Sequence, residues 1–200
     1  AESIYLDSAL YYLQRSDNNF TSYIQYFYLS NDYKGLINFV MSNRIDELKY
    51  TDSDLALSFS RMGEVYALNN LKDDSDKYYR RSIDLMPFVV DYKLKYGSFL
   101  FLLNKIDEAE TQYSDALELN PTIKETHANL GLIYIIKGDY KNARVSLKQA
   151  IALDPDYILA YENLVLLSNK TDDFDATSLY LHKILEIAPD HKAKQILENL

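Results

Sequence analysis

The chain has 200 residues, 48% of them hydrophobic, which is enough for one ordinary domain or one repeat array with a sizeable core. Its 30 acidic and 21 basic residues give a formal net charge of −9. This charge argues against nucleic acid and anionic membrane surfaces as partners, because both attract basic patches, and the absence of cysteine excludes disulfides and thiolate zinc sites.

In chain order, the sequence divides into helical copies. Residues 1–16 fit the second helix of an incomplete copy, and residues 17–55 form a longer copy of 39 residues, with the excess expected around 45–54 as a longer second helix or a loop. Four copies of 34 residues follow at 56–89, 90–123, 124–157 and 158–191, and residues 192–200 are predicted to be a short capping segment. The start inside a copy suggests a chain cut from a longer protein.

Prolines and glycines mark the 34-residue period. The spacing holds between all four prolines, Pro87, Pro121, Pro155 and Pro189, and between the glycines Gly63, Gly97 and Gly131. Small residues keep the same interval at Ser75, Ala109, Ala143 and Thr177, and larger ones at Tyr79, Tyr113, Leu147 and Leu181. Because spacing and residue type agree across four copies, the repeat is a specific signal.

Each copy is predicted to contain two amphipathic helices. In the copy 124–157, apolar and small residues recur at helical spacing over 125–137, and Gly138 then suits a left-handed helix cap. The second helix, at 141–153, ends before Pro155 because proline disfavours helical geometry in the residue that precedes it. Small residues at Gly131, Ala143 and Ala150 are expected to let the two helices approach closely.

The copy 124–157 resembles the tetratricopeptide repeat family. The matching residues are Leu130, Gly131, Tyr134, Ala143, Ala150 and Pro155, while His127 stands where the family usually has tryptophan. The last copy departs further, with Val165 at the glycine position and Ser168 at a tyrosine position. The resemblance covers nearly the whole chain and implies an all-α fold: a right-handed superhelical solenoid of antiparallel helix pairs, with a concave groove lined by the first helices.

The resemblance also implies where a ligand would bind, on the groove face of the first helices. The predicted groove residues are Arg61, Glu64, Leu68, Lys95, Ser98, Leu102, Glu125, Asn129, Leu132, Ile136, Glu162, Asn163, Leu166 and Asn169. Asn129 and Asn163 occupy a position where some peptide-binding family members hydrogen-bond an extended ligand, and an amide can both donate and accept. The alternative is that both asparagines are solvated surface residues.

The predicted groove mixes acidic and aliphatic side chains, which favours a peptide with basic and apolar side chains. The set of lysine, asparagine and arginine residues with which some family members clamp a C-terminal carboxylate is missing here. A chaperone-tail clamp is therefore not expected.

Other polar clusters have simpler interpretations. The three histidines, His127, His182 and His191, are spaced too widely to indicate a metal site, and no cofactor is predicted. The acidic runs at 73–76 and 172–175 lack the glycine and glutamate of a calcium loop, and each falls where a second helix begins. We therefore interpret them as helix caps.

The sequence predicts a protein-binding scaffold or adaptor without catalytic activity. It contains no nucleophile elbow, phosphate-binding glycine loop or dinucleotide fingerprint. The alternative is a linker or accessory domain of a larger enzyme or cofactor-containing protein whose active domain lies outside this chain. Apolar stretches reach only five residues, against about 20 for a bilayer span, so no membrane insertion is expected. The compartment and the oligomeric state stay open, the bacterial cytoplasm and periplasm both being compatible.

Overall fold

The computed structural model describes residues 20–42 and 47–197, and this part of the chain is all-α. Its helices are α1 (Phe20–Leu29), α2 (Tyr33–Ser42), α3 (Asp52–Leu68), α4 (Lys72–Leu85), α5 (Val90–Leu102), α6 (Ile106–Leu119), α7 (Lys124–Lys137), α8 (Tyr140–Leu153), α9 (Ile158–Lys170), α10 (Phe174–Ile187) and α11 (Ala193–Leu197). A short 3-10 helix at Glu47–Lys49 precedes α3. The predicted all-α fold of paired helices is confirmed. The segment predicted at 1–16, part of the expected excess near 45–54 and the last three residues lie outside the described residues.

The chain forms two compact units, residues 1–99 and 100–200, and the division falls within α5. In the first unit, α1, α2, α3 and α4 enclose a core that is rich in aromatic side chains. Phe59 and Met62 of α3 are completely buried there, and the ring of Phe59 stacks on that of Tyr78 from α4. In the second unit, Leu147, Leu164 and Leu181 are at the centre of the core that α7, α8, α9 and α10 share.

In the pairs α3–α4 and α7–α8, close approach of the two helices depends on glycine. A Cβ atom at Gly131 would lie 2.6 Å from Cγ of Leu147, and one at Gly63 would lie 2.9 Å from the ring of Tyr79. Both distances are shorter than any tolerable carbon–carbon contact. The predicted role of Gly131 in α7–α8 packing is therefore confirmed, and Gly63 plays the same part in α3–α4.

The turns inside the helix pairs share a left-handed residue. Gly138 has φ of 78° and ends α7, as its sequence context predicts. The equivalent positions, at intervals of 34, hold Asn70, Asn104 and Asp172, with φ between 54° and 59°, and Asn31 makes the same turn between α1 and α2. Asparagine and aspartate are the non-glycine residues that tolerate this region best. The turn geometry thus persists in copies that lack the glycine.

Capping follows the prediction in only one of the two acidic runs. The carboxylate of Asp173 accepts a hydrogen bond of 3.1 Å from the backbone N–H of Ala176 at the start of α10, which confirms the predicted cap. At the start of α4 the N-cap residue is Leu71, and it makes no side-chain capping bond. Asp73 and Asp74 lie instead in the first turn, where the positive end of the helix dipole stabilises their carboxylates.

Candidate functional site

In the first unit, the predicted groove residues Arg61, Glu64 and Lys95 gather around a tyrosine. The hydroxyl of Tyr28 donates a hydrogen bond of 2.9 Å to Oε2 of Glu64, and Nζ of Lys95 lies 3.5 Å from the same oxygen. The guanidinium of Arg61 lies over the Tyr28 ring, 5.4 Å from its centroid. Tyr28 is thus a member of this cluster that the groove pattern did not predict, because it lies on α1 in the divergent longer copy.

Burial and the neighbouring carboxylate set the ionisation of these tyrosines. Burial, and then the hydrogen bond to Glu64, raise the pKa of Tyr28 to about 12. Burial also raises the pKa of Tyr79, with the charge of Glu64 adding to the shift. Both tyrosines are therefore neutral at physiological pH. Tyr28 is a hydrogen-bond donor to Glu64, and Tyr79 contributes a buried ring.

Lys95 and Arg61 differ in their electrostatic partners. Lys95 lies 3.5 Å from Glu64 and 3.4 Å from Asp91, one helical turn earlier on α5. Arg61, which is half-buried, has no ion pair with any residue in the described part of the chain. The guanidinium of Arg61 is therefore the cation of this cluster that is available to an incoming group.

Ser98, Leu68 and Leu102 occupy exposed positions. The hydroxyl of Ser98 donates to the backbone carbonyl of Leu94 at 3.0 Å, so it is directed along its own helix. Leu68 and Leu102 each lie at the end of a first helix with most of their surface in solvent, as does Ile136 at the equivalent position in α7. The ends of three first helices therefore each expose one large aliphatic side chain.

In the second unit, the two predicted asparagines have different environments. Asn163 is 6% exposed, and its Nδ2 donates a hydrogen bond of 3.3 Å to the backbone carbonyl of Ala128, which ties α9 to α7. Asn129 is only half-buried, and its amide has no hydrogen-bond partner among the described residues. The amide of Asn129 is therefore the one that is available to a ligand, whereas Asn163 supports the packing of two first helices.

Three further predicted residues share α7 with Asn129, and Leu166 lies on α9, which the hydrogen bond of Asn163 to Ala128 ties to α7. Glu125 is exposed, Leu132 is half-buried, and Ile136 and Leu166 are 52% and 37% exposed. The opposite faces of the same helices are fully buried, at Ala128 and Ile133 of α7 and at Leu164 and Leu167 of α9. These side chains thus form an accessible surface that the core of the unit does not use.

Glu162, Leu166 and Asn169 share a pocket with residues that the sequence did not single out as a site. His191 and Lys192 approach Glu162 from the segment before α11, with Nζ of Lys192 2.9 Å and Nε2 of His191 3.4 Å from Oε1 of Glu162. The sequence departs from the repeat at this place through Val165, which stands at the glycine position and lines the pocket.

Two more findings bear on other kinds of site. His127 lies 2.8 Å from the carbonyl of Pro121 through Nε2, and His182 bonds the carbonyl of Ser178 in its own helix, so both rings have backbone partners. Across 20–42 and 47–197, no three histidine, aspartate or glutamate side chains converge as metal ligands. The helices in the same ranges are all too short or too polar to cross a bilayer.

Two segments of the chain match models of known repeat families. Residues 90–123 match a family model described as tetratricopeptide repeat, and residues 131–166 match one described as TPR repeat. No curated protein sequence matches this chain significantly.

Solved structures share the fold at low sequence identity. YrrB, described as a TPR protein with an unusual peptide-binding site, matches with a TM-score of 0.74 and 17% identity over 98% of this chain and 100% of its own. MamA matches with a TM-score of 0.70 and 18% identity over 92% of this chain and 100% of its own. The first TPR of Spaghetti (RPAP3), solved with the HSP90 peptide SRMEEVD, matches with a TM-score of 0.57 and 21% identity over 61% of this chain and 97% of its own.

Proposed function

Since this chain is a tetratricopeptide repeat protein, we propose that it is a non-catalytic scaffold or adaptor that binds a protein or an extended peptide along its first helices. Two fold neighbours support this class of function, YrrB through its described peptide-binding site and the RPAP3 domain through its bound peptide. The alternative of a linker requires no ligand on these helices.

One observation carries the proposal: the surface around Asn129 in the second unit. Asn129 has a free amide, and Ile136 and Leu166 expose aliphatic side chains on helices whose other faces already fill the core. An apolar surface with a polar group suited to backbone hydrogen bonding is typical of a recognition site. Folding gains nothing from exposing these side chains to water.

The charge of the second unit indicates the chemistry of the partner. Residues 100–200 contain 16 acidic and 10 basic side chains, and the exposed carboxylate of Glu125 lies on the same helix as Asn129. We therefore propose a ligand with apolar and basic side chains for this unit. In the first unit, considered by itself, Arg61 favours a ligand with an acidic group.

The experiment is a selection of extended peptides from a random library on the immobilised chain, followed by measurement of Kd for the selected peptide. The groove variant Asn129→Ala/Ile136→Ser is expected to weaken binding about tenfold or more, equivalent to ~1.4 kcal/mol. Asn163 is left unchanged because its amide is part of the core.

The matched control is Val145→Ser, which truncates a side chain that is 61% exposed on the second helix α8. Its affinity should stay close to that of the unaltered chain. Equal losses in both variants, or a loss in the control alone, would move binding away from the first helices. Failure of the library to yield any binder would favour the linker.

A further inference from the structure

The second unit contains a pocket at its C-terminal end with a cavity volume of about 250 Å³. Its walls come from α9, α10 and α11. Apolar side chains dominate the lining: Val165, Leu166, Leu181, Ile184, Ala193 and Ile196. Pockets of this kind, apolar with a few polar groups, are typical of ligand sites.

The pocket coincides with a departure from the repeat pattern. In α7–α8, the side chain of Leu147 occupies the space where a Cβ at Gly131 would lie. In α9–α10 the equivalent residues are Val165 and Leu181, and both line the pocket. Because two branched side chains cannot share the space that glycine leaves for one, the last helix pair cannot pack like the preceding one.

The polar rim of the pocket is built around Glu162. His191 accepts the backbone N–H of Ala193 through Nδ1 at 3.1 Å, so its Nε2 carries the hydrogen that faces Glu162. Lys192, the second partner of Glu162, is 71% exposed. Ion pairs with such exposed side chains contribute little free energy, so an incoming cation can replace Lys192 at low cost.

Asn169 supplies a hydrogen-bond donor at the same rim. Its Oδ1 accepts a hydrogen bond of 2.9 Å from Oγ1 of Thr177, which orients the amide. In the described structure the Nδ2 group has no partner, and it is therefore available to a peptide carbonyl.

We propose that this pocket binds one large apolar side chain of a peptide in which the adjacent residue is basic and pairs with Glu162. This assignment rests on the proposed function, because it deepens peptide recognition by the first helices. The volume exceeds the roughly 150 Å³ that suffices for benzene in a protein cavity, so a phenylalanine side chain fits. The acidic excess of the unit and the exchangeable partner of Glu162 favour the cation.

The test uses three capped dipeptides on the full chain: N-acetyl-Phe-Arg-amide, N-acetyl-Ala-Arg-amide and N-acetyl-Phe-Gln-amide. Binding is followed by the methyl signals of Val165, Ile184 and Ile196 in proton–carbon correlation spectra. We expect saturable shifts with the Phe-Arg probe, about tenfold weaker binding of Ala-Arg, and roughly two- to fivefold weaker binding of Phe-Gln.

Variants separate the two halves of the site. Glu162→Gln should abolish the preference for Phe-Arg over Phe-Gln, whereas Glu118→Gln, which alters an exposed acid of the second helix α6, should keep it. Leu166→Trp should block the pocket, while Val145→Trp, at an exposed position of the second helix α8, should not. Circular dichroism verifies that each variant is folded.

The proposal is overturned if the Phe-Arg probe leaves the pocket methyl signals unshifted, or if Glu162→Gln retains the preference for arginine. A library-selected peptide that still loses affinity in Asn129→Ala/Ile136→Ser would then preserve the proposed function without the pocket. If the Phe-Arg probe shifts no pocket signal and Asn129→Ala/Ile136→Ser also leaves the affinity unchanged, both the pocket assignment and the proposed function are refuted.

Discussion

Substitution of Gly131 by alanine tests how closely the helices of a pair approach. The new Cβ would lie 2.6 Å from both Cγ and Cδ2 of Leu147, and 3.5 Å from the carbonyl oxygen of Ala143. Since Cγ is not the free end of a side chain, Leu147 must change rotamer or the helices must separate. Overpacking of this kind costs ~1–3 kcal/mol, whereas alanine in place of glycine inside a helix returns ~1 kcal/mol. We expect a net loss of about 1 kcal/mol of unfolding free energy.

A double-mutant cycle isolates the contact. Leu147→Ala alone should cost ~2–5 kcal/mol, because it empties a buried site. In that background, Gly131→Ala no longer meets a side chain at 2.6 Å and should stabilise the helix by ~1 kcal/mol. The effect of Gly131→Ala should thus reverse sign, with a coupling of about 2 kcal/mol.

The assay is urea unfolding followed by circular dichroism at the helical band, with midpoints compared among the four proteins. Gly138→Ala provides a control, since a Cβ there meets no atom within 4 Å and only the left-handed φ is penalised. The reasoning is refuted if Gly131→Ala stabilises the chain that retains Leu147. It is also refuted if the effect is the same in both backgrounds.

Three further outcomes are expected. Gly138→Ala should destabilise by ~1–2 kcal/mol because φ is 78°, and Gly138→Asn should cost less; thermal unfolding compares the two. Asn163→Ala should cost ~1–2 kcal/mol by leaving a buried site without its hydrogen bond to Ala128, whereas Asn129→Ala should leave the unfolding midpoint nearly unchanged. Because the pKa of Tyr28 is raised from 10.0 to about 12, its contribution to stability is complete below pH 10 and is lost as the pH rises toward 12. Urea midpoints measured across that range should fall less steeply in Tyr28→Phe, and equal slopes would contradict the raised pKa of Tyr28.

The sequence predicted the fold well because the repeat signal depends on short-range physics. The contact between Gly131 and Leu147 and the turn at Gly138 both lie within one helix pair. Residue type and spacing therefore determine their geometry. The left-handed turns at Asn70, Asn104 and Asp172 could have been found by extending the Gly138 position at intervals of 34.

The candidate site was less predictable because it depends on contacts between copies. Helical phase places Asn129 and Asn163 at the same position of their helices. Asn163 is part of the core because its amide donates a hydrogen bond to the backbone carbonyl of Ala128. Tyr28 and Lys192 reach Glu64 and Glu162 from segments outside the regular copies, where the period gives no information. Val165 at the glycine position is visible in the sequence, but its effect on helix packing depends on the side chains of the neighbouring helix.

The left-handed turns distribute conformational strain over the array. Four of the five such positions in the described chain carry asparagine or aspartate, which pay a backbone penalty that Gly138 avoids. Protein engineers can therefore treat Asn70 and Asn104 as independent adjustment points: glycine relieves the penalty in the folded turn but makes the unfolded chain more flexible. The balance of these two effects, measured one turn at a time, would show how much each turn contributes to the stability of its helix pair without changing a residue of the proposed binding surfaces.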